Sequence, residues 1–354
     1  MENASNIAGV EPGPPVSVII PTYNREKLVI RAIDSALKAV APGDEIIVVD
    51  DGSTDGTKSV LARYSEPVRY VLAHHKGAGA ARNMGIRTAR HEWICFLDSD
   101  DEWKNDHLTL HRRFHAKSDL PLSFSNFDIY RDNHPEMGFE RMALVKWTKD
   151  FRHWDQILGK GVPYSRFGEL PPGREDFMVH IGDLYPLMLR RFYVSTFTSF
   201  VRRDLAKDGF LFREDLPTYE DYDFFVRLSK IGKAAYLDCS TVVNHGHEGP
   251  RLTVMDDLTF IETFLTIIDT TYGTDPEYLE DHRDDYKDRR NEIRNKLLKQ
   301  LILRGDTRRA RREIGDVQGV PLSVRTLCLL PGFVARGLSI AYRAIGKERT
   351  STNP

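Results

Sequence analysis

Four short apolar runs alternate with stretches of helical periodicity in the first part of the chain. Each run empties into polar or acidic residues. The runs are Val16 to Ile20, Glu45 to Val49, Val68 to Ala73 and Trp93 to Leu97. Apolar runs of that length, bounded by turn formers, predict buried strands. Between the first two, Leu28, Ala32, Ile33, Ala36, Leu37 and Val40 recur at helical spacing until Pro42-Gly43 ends the pattern. Ser53 or Thr54 is expected to cap a second helix reaching about Tyr64, and Ala80 to Ala89 reads as a third, after the Gly77 to Gly79 loop. Strand and helix in this order predict a parallel, doubly wound α/β sheet.

Ligands of such sheets bind outside the carboxyl ends of the strands. There the chain places Pro21, Thr22, Tyr23 and Asn24, then Asp50 and Asp51, then the glycine loop, then Asp98, Ser99, Asp100 and Asp101. Three carboxylates crowded after one strand repel each other. A divalent cation removes that conflict and ties carboxylates to a diphosphate; a solvated acidic turn is the alternative. The loop Lys76-Gly-Ala-Gly-Ala-Ala-Arg82 imitates a dinucleotide fingerprint, with Asp98 downstream. Its third glycine position holds Arg82, which cannot serve close helix–strand packing and instead offers a guanidinium to a diphosphate. A solvated helix-face arginine is the competing reading.

Asn105 or Asp106 is expected to cap a helix through Lys117, followed by a strand over Leu122 to Tyr130. From Arg131 to about Asp215 the periodicity weakens, with Trp147, Trp154 and the Pro171-Pro172-Gly173 break, as in an inserted lobe. A second acidic cluster, Glu220, Asp221 and Asp223, opens a helix running to Ile231. Acids suit a helix N-terminus, but the aromatic flanks favour a partly buried carboxylate able to act as a general base. Ala234 to Leu237 and Thr241 to Val243 read as short strands. His245, His247 and Arg251 follow, and two histidines at i, i+2 on extended chain point to opposite faces. Beyond about Asp256 the chain turns helical, with a long charged helix over Asp281 to Leu303.

The 354 residues suggest about two domains. A formal net charge of -2 argues against a nucleic-acid partner. Cys95, Cys239 and Cys328 are far apart and lack metal-ligand spacing, which suits a reducing compartment. Residues 1–15 are expected to be a flexible lead-in without signal-peptide character, and no apolar run is long enough to span a bilayer. A cytoplasmic location is expected. Between Arg304 and Arg349 stand ten basic and four acidic residues among apolar ones. Such a basic amphipathic segment suits the surface of a membrane, with packing on the catalytic domain or in a homo-oligomer as the alternative.

The segments V-S-V-I-I-P-T-Y-N at 16–24, V-V-D-D-G-S-T-D-G-T at 48–57, G-A-G-A-A-R-N-M-G-I at 77–86, F-L-D-S-D-D at 96–101, E-D-Y-D-F-F-V-R-L at 220–228 and H-E-G-P-R-L-T at 247–253 together resemble family 2 glycosyltransferases of the GT-A fold. The resemblance covers about residues 16–255, with a nucleotide-sugar half over 16–130, an acceptor half over 131–255 and a helical region over 256–354. It implies that Pro21, Thr22, Tyr23, Asp50 and Asp51 bind the nucleotide. It implies that Arg82 meets the nucleotide or its diphosphate and Asp98 the ribose. Asp100, supported by His247, would hold Mn2+ or Mg2+. Asp221 would be the catalytic base, with Glu220 orienting the acceptor. Ser99, Asp101, His245 and Arg251 stand as secondary candidates, with Asp101 expected to act more as a cap for the downstream chain. The implied reaction is inverting transfer from a nucleotide-sugar, a UDP-sugar first, to a glycan or lipid-linked glycan. A catalytically weak sugar-nucleotide-binding scaffold and a metal-dependent nucleotidyltransferase are the other readings. Two positions depart from the family pattern: His75 stands where Asn is frequent, and Tyr219 where Gly often precedes the Glu.

Overall fold

The computed structural model describes residues 13–131, 134, 137–203, 210–246 and 256–338. The chain forms two compact units, one of residues 1–215 with 220–249 and one of residues 216–219 with 250–354.

The first unit begins β1 (Val16–Thr22), α1 (Val29–Ala39), β2 (Glu45–Asp50), α2 (Thr57–Leu61), β3 (Val68–Leu72), α3 (Ala78–Thr88) and β4 (Trp93–Phe96). β1 and β2 are buried along their whole length, as continuous apolar runs require when helices cover both faces. β5 (Glu102–Trp103), α4 (His107–His115) and β6 (Leu122–Arg131) follow. Short elements then lead through the weakly periodic region: β7 (Phe139–Glu140), α5 (Leu144–Thr148), α6 (Trp154–Ile157), β8 (Val162–Pro163), β9 (Met178–Gly182), α7 (Tyr185–Met188) and β10 (Ser199–Arg202). α8 (Glu220–Ile231) and β11 (Ala234–Gly246) close the unit.

The sheet order is β3-β2-β1-β4-β10-β6-β11-β9-β8, with β5 on β11 and β7 on β6. The first four strands are parallel, as expected. The rest is mixed: β10 runs antiparallel between β4 and β6. Because β10 reverses both neighbours, β6 points the same way as β4, and β11 is parallel to β6. The carboxyl ends of β1, β2, β3, β4, β6 and β11 therefore share one edge. Right-handed crossovers put α1 and α2 on one face and α3, whose connection runs back the other way, on the opposite face. α4 packs beside α1, and its Arg112 pairs with Asp44 at 2.5 Å.

Several local expectations shift. The first helix starts at Val29, because Arg25 and Asn24 are tied to Thr57 and Ser53. Ser53 and Thr54 bond Asn24 instead of capping α2, which begins at Thr57 after Gly56. Asp106 precedes α4 but makes no capping bond; its carboxylate takes Arg174. The two short strands expected over 234–243 are one long strand, β11, broken by register shifts between Leu237 and Val242.

The second unit contains α9 (Asp257–Thr271), α10 (Pro276–Arg304), α11 (Thr307–Glu313) and α12 (Leu322–Leu329). Leu297, Leu298, Leu301, Ile302, Ala310 and Cys328 form its core. Gly305 ends α10 with φ 79, the left-handed geometry a helix C-terminus favours in glycine. Among the described residues no helix is long and apolar enough to cross a membrane.

Candidate active site

α3 starts at the end of β3 and carries Arg82 in its second turn. The residue is 6 % exposed. Its Nη2 donates to Asp98 Oδ1 at 2.8 Å and its Nη1 to Glu220 Oε1 at 3.1 Å. One side chain thus joins the end of β4 to the start of α8. The Phe212 ring lies 5.4 Å beneath the guanidinium and stacks on Phe224 of α8 at 4.2 Å, so this pairing has a dry floor. The fork geometry of arginine suits two carboxylates at once.

The glycines of α3 make the approach possible. A Cβ on Gly79 would come within 3.0 Å of Glu220 Cγ, and one on Gly85 within 2.4 Å of Ile19 Cγ2. Gly85 therefore does the close helix–strand packing that the fingerprint assigned to the position of Arg82, three residues earlier. Asn83 lies in the same motif, and sequence reasoning missed it. Its amide donates to Phe212 O at 2.8 Å and Glu214 Oε1 at 2.9 Å and accepts from Phe212 N at 2.8 Å. Phe212 thereby stays under Arg82.

Glu220 and Asp221 open α8. Burial first, then the charge of Glu220, pushes the Asp221 carboxyl up to about 7, against the opposing pull of Arg82. Burial likewise raises Asp98, with Asp100 and Glu220 adding to it and Arg82 opposing. Residue 219, before this pair, has φ 58. That is the left-handed region glycine occupies without penalty. Here Tyr219 takes it, with its ring 5.3 Å from Phe260, both residues belonging to the second unit.

At the ends of β1 and β2 the candidates are held differently. Asp51 accepts from Lys76 N at 3.0 Å and Gly77 N at 2.7 Å, so it anchors the glycine loop. Asp50 accepts from Ser53 N at 2.9 Å and from the Tyr70 hydroxyl at 3.1 Å. Thr22 Oγ1 is buried with no hydrogen-bond partner among the described residues. Pro21 pairs with Val49 inside the sheet. Tyr23, half exposed, stacks on His75 at 4.3 Å. His75 has φ 52, a value asparagine tolerates better than most residues.

The acidic turn after β4 divides. Ser99 is buried, and the backbone carbonyl of Asp100 accepts from Arg31 at 2.8 Å. Asp101 does not cap the downstream chain. It is buried and accepts from Asn244 Nδ2 at 2.9 Å and His245 N at 3.1 Å, tying the turn to β11. The His245 ring contacts Glu102 at 3.1 Å. His247 and Arg251 lie outside the described residues. No cluster of three or more His, Cys, Asp or Glu is preassembled for a metal among the described residues. Asp98 and Asp100 nevertheless fit a hard cation: both offer oxygen, and their mutual repulsion raises Asp98. Mg2+ in particular uses one or two carboxylates and completes its shell with substrate phosphates and water.

The family model for glycosyl transferase family 2 matches residues 17–166. A glucosyltransferase of Escherichia coli, WfaP, named for UDP-Glc and a diphosphoundecaprenol-linked GlcNAc, is 33 % identical over 181 residues, covering 42 % of this chain and 71 % of that protein. The putative teichuronic acid biosynthesis glycosyltransferase TuaG of Bacillus subtilis is 38 % identical over 120 residues. That match covers 33 % of this chain and 48 % of TuaG, and the chain spans less than half the length of several other relatives. S. aureus TarS 1-349, solved with UDP-GlcNAc, superposes with a TM-score of 0.55 at 19 % identity, over 93 % of this chain and 92 % of that one. The architecture is the GT-A α/β fold with added C-terminal helices. The chain belongs to glycosyltransferase family 2.

Proposed function

We propose that the chain is an inverting, divalent-cation-dependent glycosyltransferase that moves a sugar from a UDP-sugar to a hydroxyl of a glycan, in lipid-linked form, during cell-surface polysaccharide synthesis. The observation that carries this reading is the Arg82 bridge between Asp98 and Glu220, with Asp221 raised to about 7 beside it. The bridge brings a nucleotide-facing strand end and a candidate base together. UDP and a lipid-linked glycan are supported by the names of TarS and WfaP.

Thr22 and Tyr23 would meet the nucleotide, the first with its orphaned hydroxyl and the second with an exposed ring; Pro21 shapes the same strand end. Asp50 and Asp51 act on it through the loops they hold. Asp98 would meet the ribose, and Asp100 would hold Mn2+ or Mg2+, with His247 as a further candidate. The cation supplies charge neutralisation for the leaving diphosphate. Asp221 takes the proton from the acceptor hydroxyl as that oxygen attacks the anomeric carbon from the face opposite the diphosphate. A base with a pKa near the working pH is well matched to that task. Glu220, fixed by Arg82, orients the acceptor. Ser99 and Asp101 shape the acidic turn, with His245 behind it, and Arg251 is a candidate diphosphate contact.

The second unit is proposed to rest on the cytoplasmic membrane face. Leu322, Leu329 and Phe333 are 80 %, 72 % and 81 % exposed, with Arg325 and Arg336 exposed among them. Apolar side chains fringed by cations suit an anionic leaflet.

Product analysis tests the reaction. Incubation with radiolabelled UDP-sugars, Mn2+ and a membrane extract is expected to yield free UDP and labelled glycan. Released pyrophosphate would indicate nucleotidyl transfer, and binding without turnover a scaffold.

A further inference from the structure

A cleft of about 1000 Å³ lies within the first unit, beside α4. Lys104, Asp106, Thr109 and Arg113 form one wall, and residues 171–177 the other. Asp128 of β6 and Ser240, in the irregular middle of β11, form its floor. It sits on the α1/α4 side of the sheet, whereas Glu220 and Asp221 belong to the layer that packs with α3. None of the candidate active-site residues lines it.

The cleft mixes polar and apolar surface and is balanced in charge. Four cations and four carboxylates line it. Lys104 and Arg141 both reach Asp128 at 2.8 Å. Arg174 holds Asp106 at 2.7 Å and the Ser240 carbonyl at 3.3 Å. Arg113 is engaged by the Glu169 carbonyl at 2.5 Å. An anionic ligand would have to displace carboxylates already in place, and a cationic one would meet the arginines. A neutral ligand that both donates and accepts hydrogen bonds meets neither penalty. Adjacent guanidinium and carboxylate groups offer a donor and an acceptor side by side, the pattern that neighbouring sugar hydroxyls complement. Pro171, Pro172, Met142 and Phe177 add apolar surface for the C–H faces of sugar rings. The volume stands at the upper end of small-molecule pockets and exceeds what a single ring needs.

We propose that this cleft is a second carbohydrate subsite, which holds a neutral, hydroxyl-rich stretch of glycan on the side of the sheet opposite Glu220 and Asp221. The inference rests on the glycosyltransferase reading for the origin of its ligand. The glycan lies along the proline wall, its hydroxyls exchanging hydrogen bonds with the paired Arg174–Asp106 and Lys104–Asp128 groups. The subsite retains a growing chain between transfers.

The test is saturation-transfer NMR on the full chain, with neutral trisaccharides of glucose, galactose and N-acetylglucosamine, trigalacturonate as the anionic counterpart, and UDP with Mg2+ as reporter of the strand-end site. At least one neutral trisaccharide is expected to bind. Thr109→Trp is expected to weaken it roughly tenfold or more and leave the UDP signal unchanged. Asn105→Trp, at an exposed position on the rim, gives the same readout should Thr109→Trp not fold. Absence of every neutral signal from the wild type, an undiminished signal in the folded tryptophan variant, or stronger binding of trigalacturonate each overturns the proposal. Loss of the UDP signal from the wild type counts instead against the strand-end site.

Discussion

Arg82 Nη1 donates to Glu220 Oε1 at 3.1 Å, joining residues 138 positions apart in sequence. Its Nη2 holds Asp98, so the end of β4 and the start of α8 share one cation. Removing it leaves Asp98, Glu220 and Asp221 to repel each other with little solvent to screen them.

Arg82→Ala is therefore expected to lower kcat by roughly a hundredfold or more and to destabilise the fold by about 3–5 kcal/mol, as breaking a buried ion pair does. Arg82→Lys keeps the charge but loses the fork and should fall between. Turnover assays and thermal melts on both variants check this. Wild-type kcat in Arg82→Ala rules out the bridge as part of the catalytic arrangement.

Asp221 must be ionised to take a proton. With its carboxyl raised to about 7, the group is largely protonated below that pH and ionised above it. The rate of the free enzyme, kcat/KM, is expected to climb with pH and level off above about 7. Asp221→Asn should lose transfer while still binding UDP. A flat profile across that range, or near-normal turnover of the variant, excludes Asp221 as the base.

Asp100→Ala should bring UDP affinity in Mn2+ or Mg2+ down to the level the wild type shows in EDTA, measured by titration calorimetry. If the metal-dependent gain in affinity survives the substitution, Asp100 is not a ligand.

Gly85→Ala would drive a methyl group to 2.4 Å from Ile19 Cγ2. Overpacking of this kind destabilises by about 1–3 kcal/mol. Gly315→Ala, where an added Cβ meets nothing within 4 Å, is the control. Urea unfolding of both proteins compares them, and equal midpoints would contradict the packing argument.

His107, His111 and His115 line the buried face of α4, bonded to Thr241 and Ser123 hydroxyls at 2.7–2.8 Å. Burial pulls all three below the ordinary histidine value, His111 to about 3. The unfolded chain then binds more protons below pH 6.5 than the folded one, so their stabilising contribution is full above 6.5 and is lost as pH falls. Each such histidine adds about 1.4 kcal/mol per pH unit to the slope. His111→Gln should flatten the loss of stability with acid; an unchanged slope in denaturation curves at stepped pH would count against this assignment.

Much of the candidate site was legible because its signals are local. Asp98 and Asp100 stand where an apolar run ends, and Glu220 and Asp221 where a helix begins, so their residue types and spacing marked them. Asp101 resembles its neighbours in sequence, yet it accepts from Asn244 and His245, a role set by how β5 aligns with β11. Asp51 has the look of a ligand-facing acid, and the amides of Lys76 and Gly77 occupy both its oxygens. Gly85 and Asn83 stand in a recognisable motif, but their work depends on Ile19 and Phe212 in distant segments.

The chain's own periodicity and turn chemistry were enough to specify the βαβ order, the parallel pairing of the first four strands and the acidic strand ends, because these depend on residues a few positions apart. The antiparallel insertion of β10, the continuity of β11, the union of Asp98 with Glu220 through Arg82 and the charge-balanced cleft beside α4 were decided only in three dimensions. Each depends on which distant segments meet, and burial and neighbouring charge then set what their carboxylates can do.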